Sequence, residues 1–289
     1  MSSARSLGPR ARLRSDEFRL LRDLVNDHAG LTFDESALYV FERRLAERVA
    51  QLDLRGFDEY YKFLRFNVRG LAELEEAIDA ITTKETYFFR QDYQLRAFCD
   101  EVVPRIAQAQ KDSRRLTVWS AGCSSGEEAY TLAILLLEHP LLAGFDIKVI
   151  GSDLSRSSIA FARRGVYRES SFRTTPEELR RRYFEADGTG HRVVDSVRRL
   201  CHFGNLNLLD GQRAAVVGRV DAVFCRNVLI YFDVRSRRKV IDNLHQRLLP
   251  GGFLLLGHSE SLINVTTAFE LVHLREDLVY RKPALGAQT

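Results

Sequence analysis

The chain has 289 residues, 45% of them hydrophobic, with only 6 prolines and no low-complexity tract, so it can bury a full core and divide into two domains. Its formal net charge of +4 is a mild excess that does not by itself demand nucleic acid. No apolar run approaches the roughly 20 residues of a membrane-spanning helix, and the opening stretch MSSARSLGPRARLR lacks the apolar core of a secretory signal, so a cytoplasmic protein is expected.

Arg5, Arg10, Arg12 and Arg14 crowd the N-terminal tail. From Ser15 to about Ile81, apolar residues recur at every third or fourth position in DEFRLLRDLV, SALYVFERRLAERVAQL, FDEYYKFLRF and LAELEEAIDAI, which predicts a small helical domain. Asp34 or Ser36 supplies an N-cap ahead of the second helix. Helical spacing brings Arg44 and Arg48 to one face beside Arg43, and two readings stand: a solvated face paired with Glu42 and Glu47, or a docking surface for something acidic. Cys99, Cys123, Cys201 and Cys225 form no C-x-x-C pair and have no histidine at ligand spacing, which argues against zinc and against disulfides.

From Leu116 onward, short β-rich runs alternate with helices: LTVWSAG then EEAYTLAILLLE, FDIKVIGSD then RSSIAFARRG, RVDAVFCRN then DVRSRRKVIDNLHQRLL, and finally GGFLLLG. The alternation predicts a mostly parallel sheet with helices on both faces. FELVHLREDLVYRKP reads as two strands turning at Arg275 to Asp277, so the sheet should end in an antiparallel hairpin. A turn at DGTG between short strands marks a small β insertion around 183–203.

Ligands of open parallel sheets bind at the carboxyl ends of the strands, and the loops there carry unusual residues. SAGCSSGEEAY places Gly122 and Gly126 in a tight turn without the G-x-G-x-x-G pattern, which lowers the odds of a dinucleotide. Glu127 and Glu128 at the following helix start would repel a pyrophosphate but suit a cationic ligand. Asp153, ending the second strand, stands where nucleoside-binding folds accept ribose hydroxyls, or simply caps the next helix. GNLNLLD supplies Asn205, Asn207 and Asp210, and FCRNVLIYFD sets Arg226, Asn227 and Tyr231 in an apolar run, where polar groups need partners. Together these features fit S-adenosylmethionine, a nucleoside bearing a sulfonium cation and an amino-acid tail.

Six stretches, TTKETYFFR, VWSAGCSSGEEAYTLA, GSDLSRSSIAFARRGVY, NLNLLD, FCRNVLIYFD and LLPGGFLLLGHSESL, resemble in order and spacing the CheR-type methyltransferases that methylate glutamate side chains of bacterial chemoreceptors. The resemblance spans roughly 15–283 and implies a class I methyltransferase sheet over 86–283, preceded by a helical domain over 15–85. It implies that Thr86 and Arg90 contact the cofactor or line the transfer site, with Lys84 standing where relatives often have Asn. Glu127 or Glu128 would hold the methionine amino group, and Asp153 the ribose. Asn207 and Leu208 would frame the adenine, Arg226 and Asn227 would lie along the cofactor, and Tyr231 beside the methyl group. The product would be S-adenosylhomocysteine, and the partner an acidic helical region of a chemoreceptor, guided by Arg43, Arg44 and Arg48.

A glutamate side chain, with a pKa of about 4.3, is already a nucleophile at neutral pH, which accounts for the lack of a convincing Ser-His-Asp or Cys-His arrangement. Arg90 and Tyr231 are the expected catalytic residues: Arg90 orients the incoming carboxylate and Tyr231 donates a hydrogen bond to it. Against these roles stand an Arg90 ion pair with Asp92 or with a cofactor carboxylate, and a half-buried core position for Tyr231. Two other functions compete: an RNA or small-molecule methyltransferase of the same fold, and a non-catalytic cofactor-binding signalling module.

Overall fold

A computed structural model describes residues 12–284, so Arg5 and Arg10 of the basic tail lie outside the described residues. The described residues form two compact units that divide at Thr83 and Lys84.

The first unit holds α1 (Ser15–Ala29), α2 (Leu38–Gln51), α3 (Phe57–Phe66) and α4 (Gly70–Ile81). Each helix buries one stripe at helical spacing, such as Phe41, Leu45 and Val49 of α2 or Leu74, Ala77, Ile78 and Ile81 of α4. Phe18 meets Phe41 edge to face at 5.1 Å between ring centroids. Asp34 caps the 3-10 turn Glu35–Ala37 that leads into α2, accepting the Ser36 N–H at 2.9 Å.

The second unit opens with α5 (Asp92–Ala97) and α6 (Val103–Ala109), joined by a π turn over Phe98–Val102. The main strands are β1 (Arg115–Ala121) and β2 (Asp146–Asp153), with α7 (Glu127–Glu138) between them and α8 (Arg156–Arg164) after β2. Next come β3 (Val166–Tyr167), α9 (Glu177–Tyr183), β4 (Phe184–Asp187), β5 (Gly190–Val193) and α10 (Asp195–Arg198). The unit finishes with β6 (Cys201–Asn205), β7 (Val220–Cys225), α11 (Val234–Arg247), β8 (Leu248–Leu256), β9 (Glu270–His273) and β10 (Leu278–Arg281).

The sheet order is β6-β2-β1-β7-β8-β10-β9, parallel except at β10, which pairs antiparallel with both β8 and β9. It is a class I methyltransferase-like sheet closed by the hairpin that the sequence predicts. The order reverses between β1 and β7, which puts the ligand-binding crevice at their carboxyl ends. Every residue of β7 is buried, as expected of a central strand covered on both faces.

The β insertion differs from its expected extent. Its three-stranded sheet, β3-β5-β4, takes its third strand from Val166–Tyr167, and Cys201–Asn205 belongs instead to the edge of the main sheet, parallel to β2. Pairing with β2 decides this, because CHFGN has too little alternation to be read as a strand on its own. All four cysteines are free, with Cys123 and Cys225 buried. Among the described residues no helix is long and apolar enough to cross a membrane.

Candidate functional site

The turn after β1 begins where Gly122 and Cys123 both donate their N–H to Ser152 O, at 2.8 and 2.9 Å, locking it to the end of β2. Gly126 ends the turn at φ 96° as the residue before α7. A Cβ there would sit 2.7 Å from Ala162 Cβ and 3.0 Å from the Tyr167 hydroxyl. Gly126→Ala is therefore expected to cost about 2 kcal/mol, combining a left-handed backbone with a clash, read as a lower denaturant midpoint. An unchanged midpoint would mean that the turn relaxes freely.

Asp153 organises the next corner. Its two carboxylate oxygens accept the N–H groups of Ser124 and Ser155, each at 2.8 Å, so it holds two loops together at the crevice. Its backbone carbonyl receives Leu206 N–H at 3.0 Å and Asn205 Nδ2 at 3.0 Å, which draws in the loop after β6. There Asn207 Oδ1 accepts the Leu209 N–H at 3.0 Å, while the Leu208 carbonyl accepts Asn243 Nδ2 at 2.8 Å.

The two adjacent glutamates separate by environment. Glu127 is 3% exposed, its oxygens taken by the Ser125 hydroxyl at 2.7 Å and the Ser171 hydroxyl at 3.1 Å. Burial raises its pKa, and the hydroxyls oppose the rise. Glu128 instead accepts the Ser120 hydroxyl at 2.6 Å and lies 3.6 Å from Arg226 Nη1. One helical position, about 100° of rotation, sends one carboxylate into the protein and sets the other beside Arg226.

Arg226 is 7% exposed at the end of β7, and its Nη2 donates to Arg90 O at 2.5 Å and to Gln91 Oε1 at 2.9 Å. Burial lowers its pKa, while Glu128 pulls it back up. Its Nε is buried with no hydrogen-bond partner among the described residues. That orphaned donor suits an acceptor such as an amino-acid carboxylate, and with Asp153 and Glu128 it makes a polar set compatible with S-adenosylmethionine.

The segment Lys84–Gln91 brings in the remaining residues. Arg90 Nη1 donates to Glu85 O at 3.2 Å, and its guanidinium lies 5.7 Å from the Tyr87 ring, which Arg173 also approaches at 3.7 Å. Among the described residues Asp92 pairs with Arg96, one helical turn on, and no Arg90–Asp92 ion pair is present. Lys84 donates to the Ser157 hydroxyl at 2.7 Å, and Thr86, two residues on, is half-buried. Tyr231, on the turn Leu229–Tyr231, is 39% exposed.

Two further contributions escape a linear reading. Glu260, within GHSESL, accepts the N–H groups of Asn227 (2.8 Å), Val228 (2.8 Å), Gly257 (2.7 Å) and Ile230 (3.3 Å). Ser124, Phe89, Gln91 and Asn227 all carry positive φ, four of the seven non-glycine cases among the described residues. Such conformations persist where surrounding contacts over-determine them, as at ligand sites. An acidic residue three positions after a strand-end glycine was the available signal for Glu260; nothing in the sequence marks the backbone of Phe89 or Gln91.

The arginines of the face predicted on α2 find partners within the helical unit. Arg44 donates to the carbonyls of Ala80 (3.0 Å) and Thr82 (2.8 Å), closing the end of α4. Arg48 pairs with Glu73 at 2.9 and 2.6 Å, and the Tyr60 hydroxyl donates to the same carboxylate. Both are engaged inside the helical unit, Arg48 by the buried Glu73 and Arg44 by half-buried carbonyls, while Arg43, lying over the Tyr39 ring, is exposed. Cys123, in the β1 turn, has its thiol pushed well up by burial, which removes it as a thiolate nucleophile.

Comparison with known proteins agrees across both units. Residues 16–82 match CheR methyltransferase, all-alpha domain, and residues 84–278 match CheR methyltransferase, SAM binding domain. Chemotaxis protein methyltransferase 2 of Vibrio cholerae serotype O1 is 36% identical over 93% of this chain and 94% of its own length. Chemotaxis protein methyltransferase 1 of Pseudomonas aeruginosa is 34% identical over 92% and 97%, and the chemotaxis protein methyltransferase of Borreliella burgdorferi 31% over 86% and 89%. With both domain types matched in order and relatives aligned nearly end to end, this chain belongs to the CheR methyltransferase family, S-adenosylmethionine-dependent methyltransferases of chemotaxis.

Proposed function

We propose that this methyltransferase acts on glutamate side-chain carboxylates in an acidic helical region of a chemoreceptor, forming methyl esters in the cytoplasm. The observation that carries the reading is the Arg226 guanidinium, which ties the Arg90 backbone to Glu128 and to the strand end that leads to Asn227 and Tyr231. When bound, S-adenosylmethionine would supply a sulfonium methyl, whose transfer to a carboxylate oxygen would leave the S–C electron pair on sulfur and S-adenosylhomocysteine as product.

The acceptor is ionised at neutral pH and needs no general base. What the chain supplies is position. Asp153 takes the ribose hydroxyls, Asn207 and Leu208 frame the base, and Gly122 lets the β1 turn approach closely. Glu128, Arg226 and Asn227 hold the amino-acid end, with Thr86 beside them. Glu127 supports the site through Ser125 and Ser171 rather than by direct contact. Arg90 orients the incoming carboxylate, and the Tyr231 hydroxyl holds it in line.

The test is to incubate the protein with methyl-labelled S-adenosylmethionine and a receptor fragment, then release methanol with base. Base-labile label on the fragment is expected. Binding without transfer would make the protein a non-catalytic module, and base-stable label would point to another acceptor atom. Tyr231→Phe should lower kcat about tenfold, the scale of one hydrogen bond to a charged group, with little change in cofactor affinity. A full rate in that variant would remove the phenol from the mechanism.

A further inference from the structure

A cavity of about 680 Å³ opens at the carboxyl end of β8, between the Gln91–Gln94 turn, the loop after Gly257 and the β9–β10 hairpin. It adjoins the transfer site through two of its lining residues. Gln91 accepts the Arg226 Nη2 proton, and Glu260 holds the N–H groups of Asn227 and Val228.

The polar chemistry of the cavity favours hydrogen-bond donors and positive charge. Gln94 is 1% exposed, and its Nε2 donates to Leu256 O and Asp277 Oδ2, both at 2.8 Å. A carbonyl and a carboxylate can only accept, so the amide orientation is determined and Oε1 must be the other end. Oε1 is buried with no hydrogen-bond partner among the described residues, a deficit a ligand N–H would relieve. Glu260, Glu276 and Asp277 line the cavity together with His258, and no lysine or arginine does, in a chain whose net charge is +4. Glu260 is engaged with four backbone N–H groups and Glu276 lies 3.3 Å from Arg96, whereas the side-chain donor to Asp277 is the neutral Gln94 amide, which leaves Asp277 as the carboxylate best placed for a cation. Around it Ile263 (72% exposed), Leu271 (46%) and Leu278 (50%) offer apolar surface to water.

We propose that this cavity receives a lysine or arginine side chain of the protein acceptor, flanking the glutamate that is methylated. The aliphatic stem packs on Ile263, Leu271 and Leu278, and the charged head turns toward Asp277 and Gln94. This subsite rests on the protein-acceptor reading above and adds a specificity element to it.

The test uses acceptor helices identical except for Lys or Gln at single positions within one helical turn of the target glutamate. At one position the wild-type enzyme should favour Lys about tenfold in kcat/KM, the scale of a partly desolvated ion pair. Asp277→Asn keeps an acceptor for Gln94 and should abolish the preference while methylating the Gln helix within about twofold of wild type. Ile263→Ser, at the exposed rim, should reduce the preference about threefold, the loss of part of an apolar contact. No preference in the wild type, or a preference that survives Asp277→Asn, overturns the subsite. If the wild-type enzyme methylates neither helix, the protein-acceptor reading falls and the subsite with it.

Discussion

Replacing Glu260 by alanine is expected to lower stability by about 3 kcal/mol and methyl transfer by on the order of 10²-fold. Its carboxylate takes Asn227 and Gly257 N–H on one oxygen and Val228 and Ile230 N–H on the other, so four donors lose their acceptor together. These donors belong to the loops after β7 and β8, strands that lie side by side with Cys225 opposite Leu256. Asn227 is held at φ 59°, and a loop released from that conformation would carry Tyr231 out of line. Glu260→Gln keeps one carbonyl oxygen and should recover part of both losses. Denaturant unfolding and calorimetric S-adenosylmethionine binding separate the two effects: a structural role alone would lower the midpoint and leave the cofactor affinity of the folded fraction intact. A normal midpoint and normal turnover in Glu260→Ala would show that the loops hold themselves.

Arg90→Ala should reduce kcat/KM for the acceptor by on the order of 10²-fold, the scale of losing a charged orienting group in a methyl-transfer site. Stability should change little, because the guanidinium is partly exposed and its one hydrogen bond among the described residues is to the Glu85 carbonyl. The structural link to Arg226 runs through the Arg90 backbone carbonyl, which the substitution retains. Arg90→Lys should rescue poorly, since an ammonium cannot reproduce the planar two-pronged contact. Single-turnover rates at saturating cofactor provide the measurement. Unchanged rates in both variants would assign Arg90 to packing against Tyr87, where Arg173 already lies over the same ring.

The helical stripes of the first unit, the strand and helix alternation of the second and the terminal hairpin were legible in sequence, because burial imposes periods of 3.6 and 2 that survive without a structure. The motif positions were legible for a related reason: parallel strands deliver their following loops to one edge of the sheet, so Gly122, Asp153, Asn207 and Arg226 could be placed there from order alone.

Tertiary structure decided which neighbouring groups meet. Spacing brings Arg44 and Arg48 to one face, and there they meet the carbonyls at the end of α4 and the buried Glu73, whose charge-assisted hydrogen bonds hold both guanidiniums. Glu127 and Glu128 are indistinguishable as letters, and only the packing of α7 gives one to Ser171 and the other to Arg226. CHFGN became a strand through β2, a partner that propensity cannot see. Glu260 lies 33 positions beyond Asn227, and its four hydrogen bonds exist because adjacent strands bring distant loops within reach. Sequence determines what each segment can be; the sheet decides which polar groups are close enough to satisfy one another, and so where this site is built.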